Sequence, residues 1–289
     1  KYGIDKPFND ELIFEEIATM TYPEVGEFFR RYVDGNESLP YQEIFNNRAW
    51  SYHQAMQSVP DARRLEFEIA LEYLQPETGQ WIVDMPSGGG YLKQYIHDPS
   101  VNLLFVETTP EFARHCPQSS HCRRLIGGFD SLPVQKNSVE RLLSLAALHH
   151  VEDKSRFFRE CHRVLSSCGR LVIGDVYADT AQARFLNEFV DEFNSMGHKG
   201  DFLTADIDSQ IADNGFDVCR QQQHPFCWFF SSQQQMLAYC RDLFGIDLAD
   251  DKVLMQGIEE YLTPEWRGDC VTLQWSLHYI CARPLELGA

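Results

Sequence analysis

A strand, a glycine-rich turn and a helix follow one another within residues 81–96, and this succession constrains the fold more than any other stretch. Residues 81–83 are apolar and typical of a buried strand, and Asp84 stands at its carboxyl end. From Pro86 the sequence Pro-Ser-Gly-Gly-Gly turns the chain into residues 91–96, which read as a helix. Glycines let a backbone approach a ligand where a Cβ would collide with it. The succession predicts the first half of a βαβ unit that binds a nucleoside or dinucleotide.

Strand and helix patterns alternate through the middle of the chain. An amphipathic helix is predicted over 154–165, and Gly169 is a candidate for its C-terminal cap. Such alternation predicts a parallel sheet covered by helices on both faces. Residues 216–218 and 271–282 predict two later strands, the last of them antiparallel. The predicted strands of the alternating region, besides the first, are 101–106, 123–126, 139–147 and 170–174.

Polar and aromatic residues stand just past three of the predicted strands. Glu107 follows the second strand, seventeen residues beyond Gly90, where an acid can accept hydrogen bonds from both hydroxyls of a ribose. His149 and His150 follow the fourth strand, and Tyr177 follows the fifth. Because ligands of such sheets bind at the carboxyl ends of the strands, these residues are candidates for a site. The alternative for each histidine and for the tyrosine is ordinary packing.

Residues 1–60 precede the first strand, look helical and are rich in aromatic side chains. They form either an extra helical layer on the core or a lid whose aromatic face closes a small-molecule site. We predict an N-terminal helical cap over 1–60 and a cofactor-binding domain over 61–289. Within that domain, lid segments are predicted at about 178–214 and 225–268.

The chain is acidic, because 25 lysines and arginines stand against 43 aspartates and glutamates, a formal net charge of −18. That balance argues against a protein that binds the phosphates of nucleic acids or lies on an anionic membrane. No apolar run approaches the ~20 residues that a membrane-spanning helix needs. We therefore expect a small-molecule substrate, no nucleic-acid partner and no membrane partner.

Nine cysteines are scattered without a Cys-x-x-Cys pair, which suits a reducing cytosol and predicts a cytoplasmic protein. His115, Cys116, His121 and Cys122 raise the hypothesis of a zinc site. Their spacing lacks the usual two-residue knuckle, and one short loop is a poor tetrahedral cage. We predict no metal site.

Taken together, these segments resemble the class I S-adenosylmethionine-dependent methyltransferases of the type 11 small-molecule group, over roughly residues 78–176. The segment 83–90 is similar to the first motif of that family, and Glu107 matches its ribose-binding acid. Residues 129–133 resemble its adenine loop, and residues 143–151 resemble its fourth-strand motif.

The resemblance implies a Rossmann-like, seven-stranded, mostly parallel α/β sheet with helices on both faces and an antiparallel last hairpin. It also implies S-adenosylmethionine as the cofactor. The cofactor-binding residues that it implies are Asp84, Pro86, Ser87, Gly88, Gly90, Glu107, Thr108, Phe129, Asp130 and Leu145.

Two positions depart from the family pattern. Pro86 stands where the first glycine of the loop is usual, which removes a backbone donor and stiffens the turn. Gly128 stands where many relatives carry the aspartate that binds the adenine amino group. Either Asp130 substitutes for that aspartate from two residues on, or Phe129 only stacks.

For methyl transfer, His149 or His150 is a candidate base for a hydroxyl or phenol acceptor, because the pKa of histidine suits this role. The catalytic residues that we predict are His149 and Tyr177; the aromatic face of the tyrosine can hold a sulfonium. One alternative is a cyclase or lyase that releases methylthioadenosine, as azetidine-2-carboxylate synthases do. Another is a non-catalytic nucleoside-binding subunit. The methyl acceptor and the oligomeric state stay open.

Overall fold

The computed structural model describes the backbone of residues 41–285 and the side chains of residues 47–285. The helices predicted before residue 41 lie outside the described residues. The chain divides into two compact units, Lys1–Ile44 and Phe45–Ala289. The sheet and the helices around it belong to the second unit. The separate cap over 1–60 stays a prediction.

Eight strands form one mixed sheet in the order β3-β2-β1-β4-β5-β8-β6, with β7 paired to β8. Strands β1 to β5 are parallel, whereas β8 runs antiparallel to both β5 and β6. The predicted α/β class with an antiparallel end is therefore confirmed. The strands are β1 (Trp81–Asp84), β2 (Asn102–Glu107), β3 (Cys122–Ile126), β4 (Val139–Leu145), β5 (Leu165–Asp175), β6 (Phe216–Phe230), β7 (Glu265–Arg267) and β8 (Cys270–Pro284).

Helices cover both faces of the sheet. The helix Ala181–Arg184 continues through a π-helical stretch, Phe185–Val190, into a last turn at Asp191–Phe193. Short 3₁₀ helices follow β1 and β4, at Tyr91–Tyr95 and Leu148–His150. The α-helices are α1 (Tyr41–Ser58), α2 (Arg64–Leu74), α3 (Pro110–Ala113), α4 (Lys154–Val164), α5 (Ala181–Arg184), α6 (Asp191–Phe193), α7 (Ile207–Asp213), α8 (Gln233–Phe244) and α9 (Asp251–Leu262).

The core lies in two layers because successive side chains of a strand point to opposite faces. In β1, Ile82 packs in the layer shared with α2 and α8, whereas Val83 packs in the layer shared with α4 and α7. Helix α4 shows why its sequence is helical. The side chain of Asp153 caps its first turn by accepting from the amide of Ser155, and its buried residues recur at helical spacing.

Two predictions about local structure are wrong, and a third is made more precise. Gly169 does not cap α4, because β5 already begins at Leu165; the pairing jumps from Val139–Leu165 to Arg141–Arg170 and leaves a bulge around the glycine. The helix predicted over 91–96 is present as the 3₁₀ helix Tyr91–Tyr95. Residues 225–230, assigned to a lid, lie instead in β6, where an edge strand tolerates Pro225. No helix among residues 41–285 is long and apolar enough to cross a membrane.

Candidate functional site

The glycine-rich turn brings bare backbone to the carboxyl ends of β1 and β2. The amide of Ser87 donates to the carbonyl of Val106 at 3.2 Å, which docks the turn on β2. A Cβ added to Gly90, at φ +79°, would lie 2.6 Å from Pro117 Cδ. A Cβ on Gly88 would lie 3.1 Å from the hydroxyl of Tyr52, so an aromatic side chain of α1 covers this part of the turn. The turn is therefore glycine-rich for steric reasons at two of its positions.

Glu107 joins the turn to the end of β2. One of its carboxylate oxygens accepts hydrogen bonds from Ser87 Oγ at 2.7 Å and from the amide of Gly89 at 2.8 Å. The side chain is buried, and burial raises the pKa of Glu107 to about 7. Glu107 therefore lies where the sequence placed it and titrates near neutral pH.

Asp84 is a second buried carboxylate at the same place, at the end of β1. Burial raises its pKa well above the ordinary value, and the charge of Glu107 adds to that shift. Its Oδ2 atom is buried without a hydrogen-bond partner among the described residues. A buried acceptor without a partner costs free energy, so this oxygen is suited to a ligand that donates a hydrogen bond or carries positive charge.

The predicted adenine loop lies beyond β3. Phe129 is half-buried, with its ring 5.7 Å from that of Phe157. The carboxylate of Asp130 is exposed, and its Oδ1 lies 3.2 Å from where a Cβ on Gly128 would stand. The missing side chain at residue 128 thus leaves room for Asp130, which also lies 3.7 Å from a guanidinium nitrogen of Arg156. Substitution by Asp130 for the family aspartate stays a prediction.

The remaining predicted cofactor residues surround the same strand ends. The peptide bond between Met85 and Pro86 is cis, and Pro86 is half-buried. Thr108 directly follows β2 and is half-buried. Leu145 is the last residue of β4 and packs over Gly174 of β5.

A cavity of about 90 Å³ opens beside the end of β4, where Ala146 lines it. Its walls are mostly apolar, and two polar groups line it. One group is built on His149, and the other contains Arg63 and Glu66. The apolar lining comes from Val176, Leu186, Trp228, Leu243, Phe244, Trp275 and Leu277.

His149 is held at the cavity wall by Asp175, the last residue of β5. Asp175 Oδ1 lies 2.7 Å from His149 Nδ1, and Asp175 Oδ2 accepts from the amide of His149 at 3.0 Å. Asp175 is completely buried, and despite the burial the neighbouring His149 lowers its pKa below the ordinary range. A carboxylate that contacts Nδ1 fixes the orientation of an imidazole and leaves Nε2 as the nitrogen that can contact a ligand.

His150 and His198 lie beside His149 and also line the cavity. Their ring centroids are 4.1 and 5.5 Å from that of His149. Burial lowers the pKa of both side chains well below the ordinary value, so both are neutral at pH 7. At these two positions the cavity wall therefore carries neutral imidazole rings rather than cationic ones.

A buried ion pair forms the second polar group of the cavity lining. Glu66 Oε2 accepts from two guanidinium nitrogens of Arg63 at 2.9 and 2.6 Å, and Glu66 Oε1 accepts from the indole of Trp228 at 2.7 Å. Arg63 also donates to the hydroxyl of Tyr52 at 2.6 Å. Each of these charges is paired and hydrogen-bonded, which is the condition for burying charge at all.

The two predicted catalytic residues are placed differently. His149 lines the cavity, whereas the ring of Tyr177 lies 5.0 Å from that of His278 and is absent from the cavity wall. Tyr177 packs with the layer of the core that contains α4. Its catalytic role stays a prediction that its position does not favour.

The strand ends just described lie in a part of the chain that is similar to known proteins. Residues 83–173 match a family model described as a methyltransferase domain. The chain is therefore similar to methyltransferases over these residues. The fold agrees with it: the YcgJ protein of Bacillus subtilis superposes with a TM-score of 0.58, at 16% identity, over 77% of this chain and 99% of that chain.

Two curated relatives are methyltransferases by name. The malonyl-[acyl-carrier protein] O-methyltransferase 1 of Coxiella burnetii is 24% identical over 60% of this chain, which spans 59% of that relative. The 24-methylenesterol C-methyltransferase 2 of Arabidopsis thaliana is 23% identical over 76% of this chain and 70% of its own length.

Residues 83–173 contain carboxylates whose chemistry fits S-adenosylmethionine. The unpartnered oxygen of Asp84 and the nearby carboxylate of Glu107 suit a ligand with ribose hydroxyls, an ammonium group and a sulfonium. The glycine at residue 90 is explained by packing, because a Cβ there would collide with Pro117.

Sequence reasoning missed four of the polar residues around the cavity. Asp175 ends β5 and could have been found from its place at a strand end, as Glu107 was. Glu66 and Arg63 appear in the sequence as ordinary residues of an amphipathic helix, and His198 appears as part of a glycine-rich hinge. Only the folded chain brings these residues to one cavity.

Proposed function

We propose that this protein transfers the methyl group of S-adenosylmethionine to a small, largely apolar acceptor that binds in the cavity beside Ala146. The observation that carries the proposal is the position of that cavity. It adjoins the end of β4, next to the strand ends that bear Asp84 and Glu107, and its polar wall contains His149. S-adenosylmethionine would supply a methyl group bound to a sulfonium. The neutral thioether that remains after methyl transfer is a good leaving group.

The residues of this chain then have to bind, orient and exclude water. Glu107 and Asp84 accept hydrogen bonds from the cofactor, and Asp130 and Phe129 bound the adenine side. The apolar walls exclude water around the acceptor, which favours in-line methyl transfer by positioning; alignment of this kind supplies up to ~7–11 kcal/mol of a barrier.

The cavity limits the size of the acceptor. An engineered cavity of roughly 150 Å³ holds a benzene molecule, whereas the cavity here measures about 90 Å³. The conformation described therefore accommodates only a small acceptor or the reactive end of a larger one. A whole sterol, the substrate class in the name of the Arabidopsis relative, does not fit inside these walls.

His149 is the group that we propose to meet the nucleophilic atom of the acceptor. Asp175 holds its Nδ1 and so leaves Nε2 for the cavity side. An acceptor that must lose a proton, such as a hydroxyl or phenol, gains from a polar group of this kind. The experiment is to incubate the protein with S-adenosylmethionine and with acceptors small enough for this cavity, such as ethanol, ethanethiol or ethylamine, and to follow the products by mass spectrometry.

Asp175→Asn provides the decisive variant for this assignment. We expect it to lower kcat by roughly 10–100-fold, because an amide orients the imidazole less well and does not stabilise its cationic form. Asp179→Asn, an exposed aspartate four residues on, is the matched control and should leave kcat unchanged. Equal rates for Asp175→Asn and the wild type would show that Asp175 does not position His149 for the reaction. S-adenosylmethionine converted to methylthioadenosine without any acceptor would contradict methyl transfer.

A further inference from the structure

Three histidines meet at one wall of the cavity in a pattern that the methyl-transfer proposal does not require. His149, His150 and His198 each offer a ring nitrogen, and these three atoms all lie within 4.8 Å of one another. They form the one group of three close metal-ligating side chains found among residues 47–285. His149 and His150 are neighbours on a 3₁₀ turn, whereas His198 comes from a distant loop. A second set of contacts must therefore hold that loop in place.

The loop that carries His198 is fixed to the turn that carries His149. The amide of Asp201 donates to the carbonyl of His149 at 2.7 Å, and Asp201 Oδ2 lies 2.5 Å from the ammonium of Lys154. At the other end of the loop, the amide of His198 donates to Asp191 Oδ1 at 2.8 Å. The three imidazoles are thus brought together by built contacts on both sides of His198.

The outer nitrogens of two of the rings are engaged by acceptors. His149 Nδ1 lies 2.7 Å from Asp175 Oδ1, and His198 Nδ1 lies 3.3 Å from Asn187 Oδ1. Asn187 is itself held by Gly200, whose amide donates to the same oxygen at 2.7 Å. With Nδ1 protonated and donating, Nε2 carries the lone pair. Metal-binding histidines in proteins show the same arrangement, with a carboxylate or carbonyl oxygen behind each ring.

We propose that His149, His150 and His198 bind a divalent transition metal ion, with Nε2 as the ligand atom of His149 and of His198. Neutral imidazoles suit zinc and the neighbouring transition metals. Two nitrogens of a tetrahedral zinc site lie about 3.4 Å apart, since each Zn–N distance is roughly 2.0–2.1 Å. The three ring nitrogens, which lie within 4.8 Å of one another, would have to approach by up to about 1.4 Å to reach that distance.

The open position of such a site would face the cavity, because all three histidines line it. Three protein ligands with a fourth position left for a small molecule are the arrangement of catalytic rather than structural zinc sites. The charge balance is mixed: Asp175 contributes a negative charge behind His149, whereas Arg48 lies on the same cavity wall. With Nε2 of His149 bound to it, the metal ion would take the place of that imidazole in meeting the donor atom of the acceptor. This role rests on the proposed function, whereas the binding itself does not.

The binding test uses the full chain, stripped with a chelator and titrated with Zn²⁺ in a calorimeter, without cofactor or acceptor. We expect one ion per chain. His198→Gln should weaken binding at least about 100-fold, and Asp175→Asn should weaken it roughly 10–100-fold. His97→Gln, which changes an exposed histidine outside the cluster, is the control and should bind as the wild type does. Circular dichroism of each variant establishes that it is folded.

Co²⁺ provides an independent spectroscopic readout, because nine cysteines compete as ligands. Cobalt on three histidines should give visible ligand-field bands without a sulfur-to-cobalt charge-transfer band. Zinc binding that is equal in the wild type and in His198→Gln, or cobalt spectra dominated by sulfur, would overturn the assignment. Methyl transfer that persists in chelator, with no zinc binding, would also overturn it while leaving the proposed function standing. Zinc binding without methyl transfer to any acceptor would contradict the proposed function and would leave the metal site supported.

Discussion

Two buried carboxylates, Asp84 and Glu107, define the site at the scale of single residues. Burial raises the pKa of both side chains, so keeping them ionised without a ligand costs free energy. A ligand that brings donors or positive charge relieves that cost, because it stabilises the ionised form. Their arrangement is therefore poor for the stability of the fold alone and suited to a cofactor such as S-adenosylmethionine. Binding should then be stronger above pH 7 than below it.

Glu107→Gln should separate stability from binding. The pKa of Glu107 is about 7 in the folded protein, against an ordinary value of 4.5, so the native state binds more protons than the unfolded state between these limits. The free energy of unfolding that it contributes therefore falls as the pH rises from 4.5 to 7. At pH 8 the variant should be more stable than the wild type by about 1–3 kcal/mol, whereas at pH 4 the two should differ little.

The measurement is thermal unfolding of Glu107→Gln and the wild type at pH 4 and pH 8. Glutamine keeps an oxygen for Ser87 Oγ and the amide of Gly89, so these hydrogen bonds persist. Glu111→Gln, on the exposed side of the next helix, is the control at both values of pH. A variant less stable than the wild type at pH 8 would show that the Glu107 carboxylate supports the fold rather than the ligand.

Among elements, the glycine-rich turn after β1 is the most constrained. Gly90→Ala should destabilise the fold by about 2–4 kcal/mol, because it adds a collision with Pro117 Cδ to the cost of a positive φ. Gly79→Ala adds only the cost of a positive φ, since the φ of Gly79 is +82° and no atom lies within 4 Å of its Cβ position. Urea unfolding of both variants measures the difference. Equal losses for the two would mean that the turn relaxes and that the packing of Gly90 is not specific.

The elements around the cofactor site could be predicted, whereas those around the cavity could not. The ends of β1 and β2 follow from continuous apolar runs that stop at Asp84 and Glu107, so the sequence carries the signal locally. The π-helical stretch Phe185–Val190 has no such signal, because its helical spacing resembles that of an α-helix. It nevertheless supplies Leu186 to the cavity and Asn187 to His198. Strand β6 extends well beyond the predicted residues 216–218, and it tolerates Pro225 because it lies at a sheet edge.

At the scale of the whole molecule, the cavity combines side chains far apart in the chain. Arg48 and Tyr52 come from α1, His149 from the turn after β4, and Trp275 from β8. Such long-range meetings depend on the sheet order, and local periodicity does not determine it. The sequence therefore indicates the cofactor class, through the motif spacing, far better than the acceptor. The net charge of −18 agrees with a small-molecule acceptor and disfavours nucleic acid.

The most direct test of the central claim is calorimetric titration of the full chain with S-adenosylmethionine alone, followed by mass spectrometry of the recovered ligand. The account predicts one site per chain, binding weakened roughly 10–100-fold in Glu107→Ala as a charged hydrogen bond is lost, and unchanged binding in Glu111→Gln. It also predicts that the cofactor is recovered intact. Absence of binding, binding indifferent to Glu107→Ala, or recovery of methylthioadenosine would contradict the account.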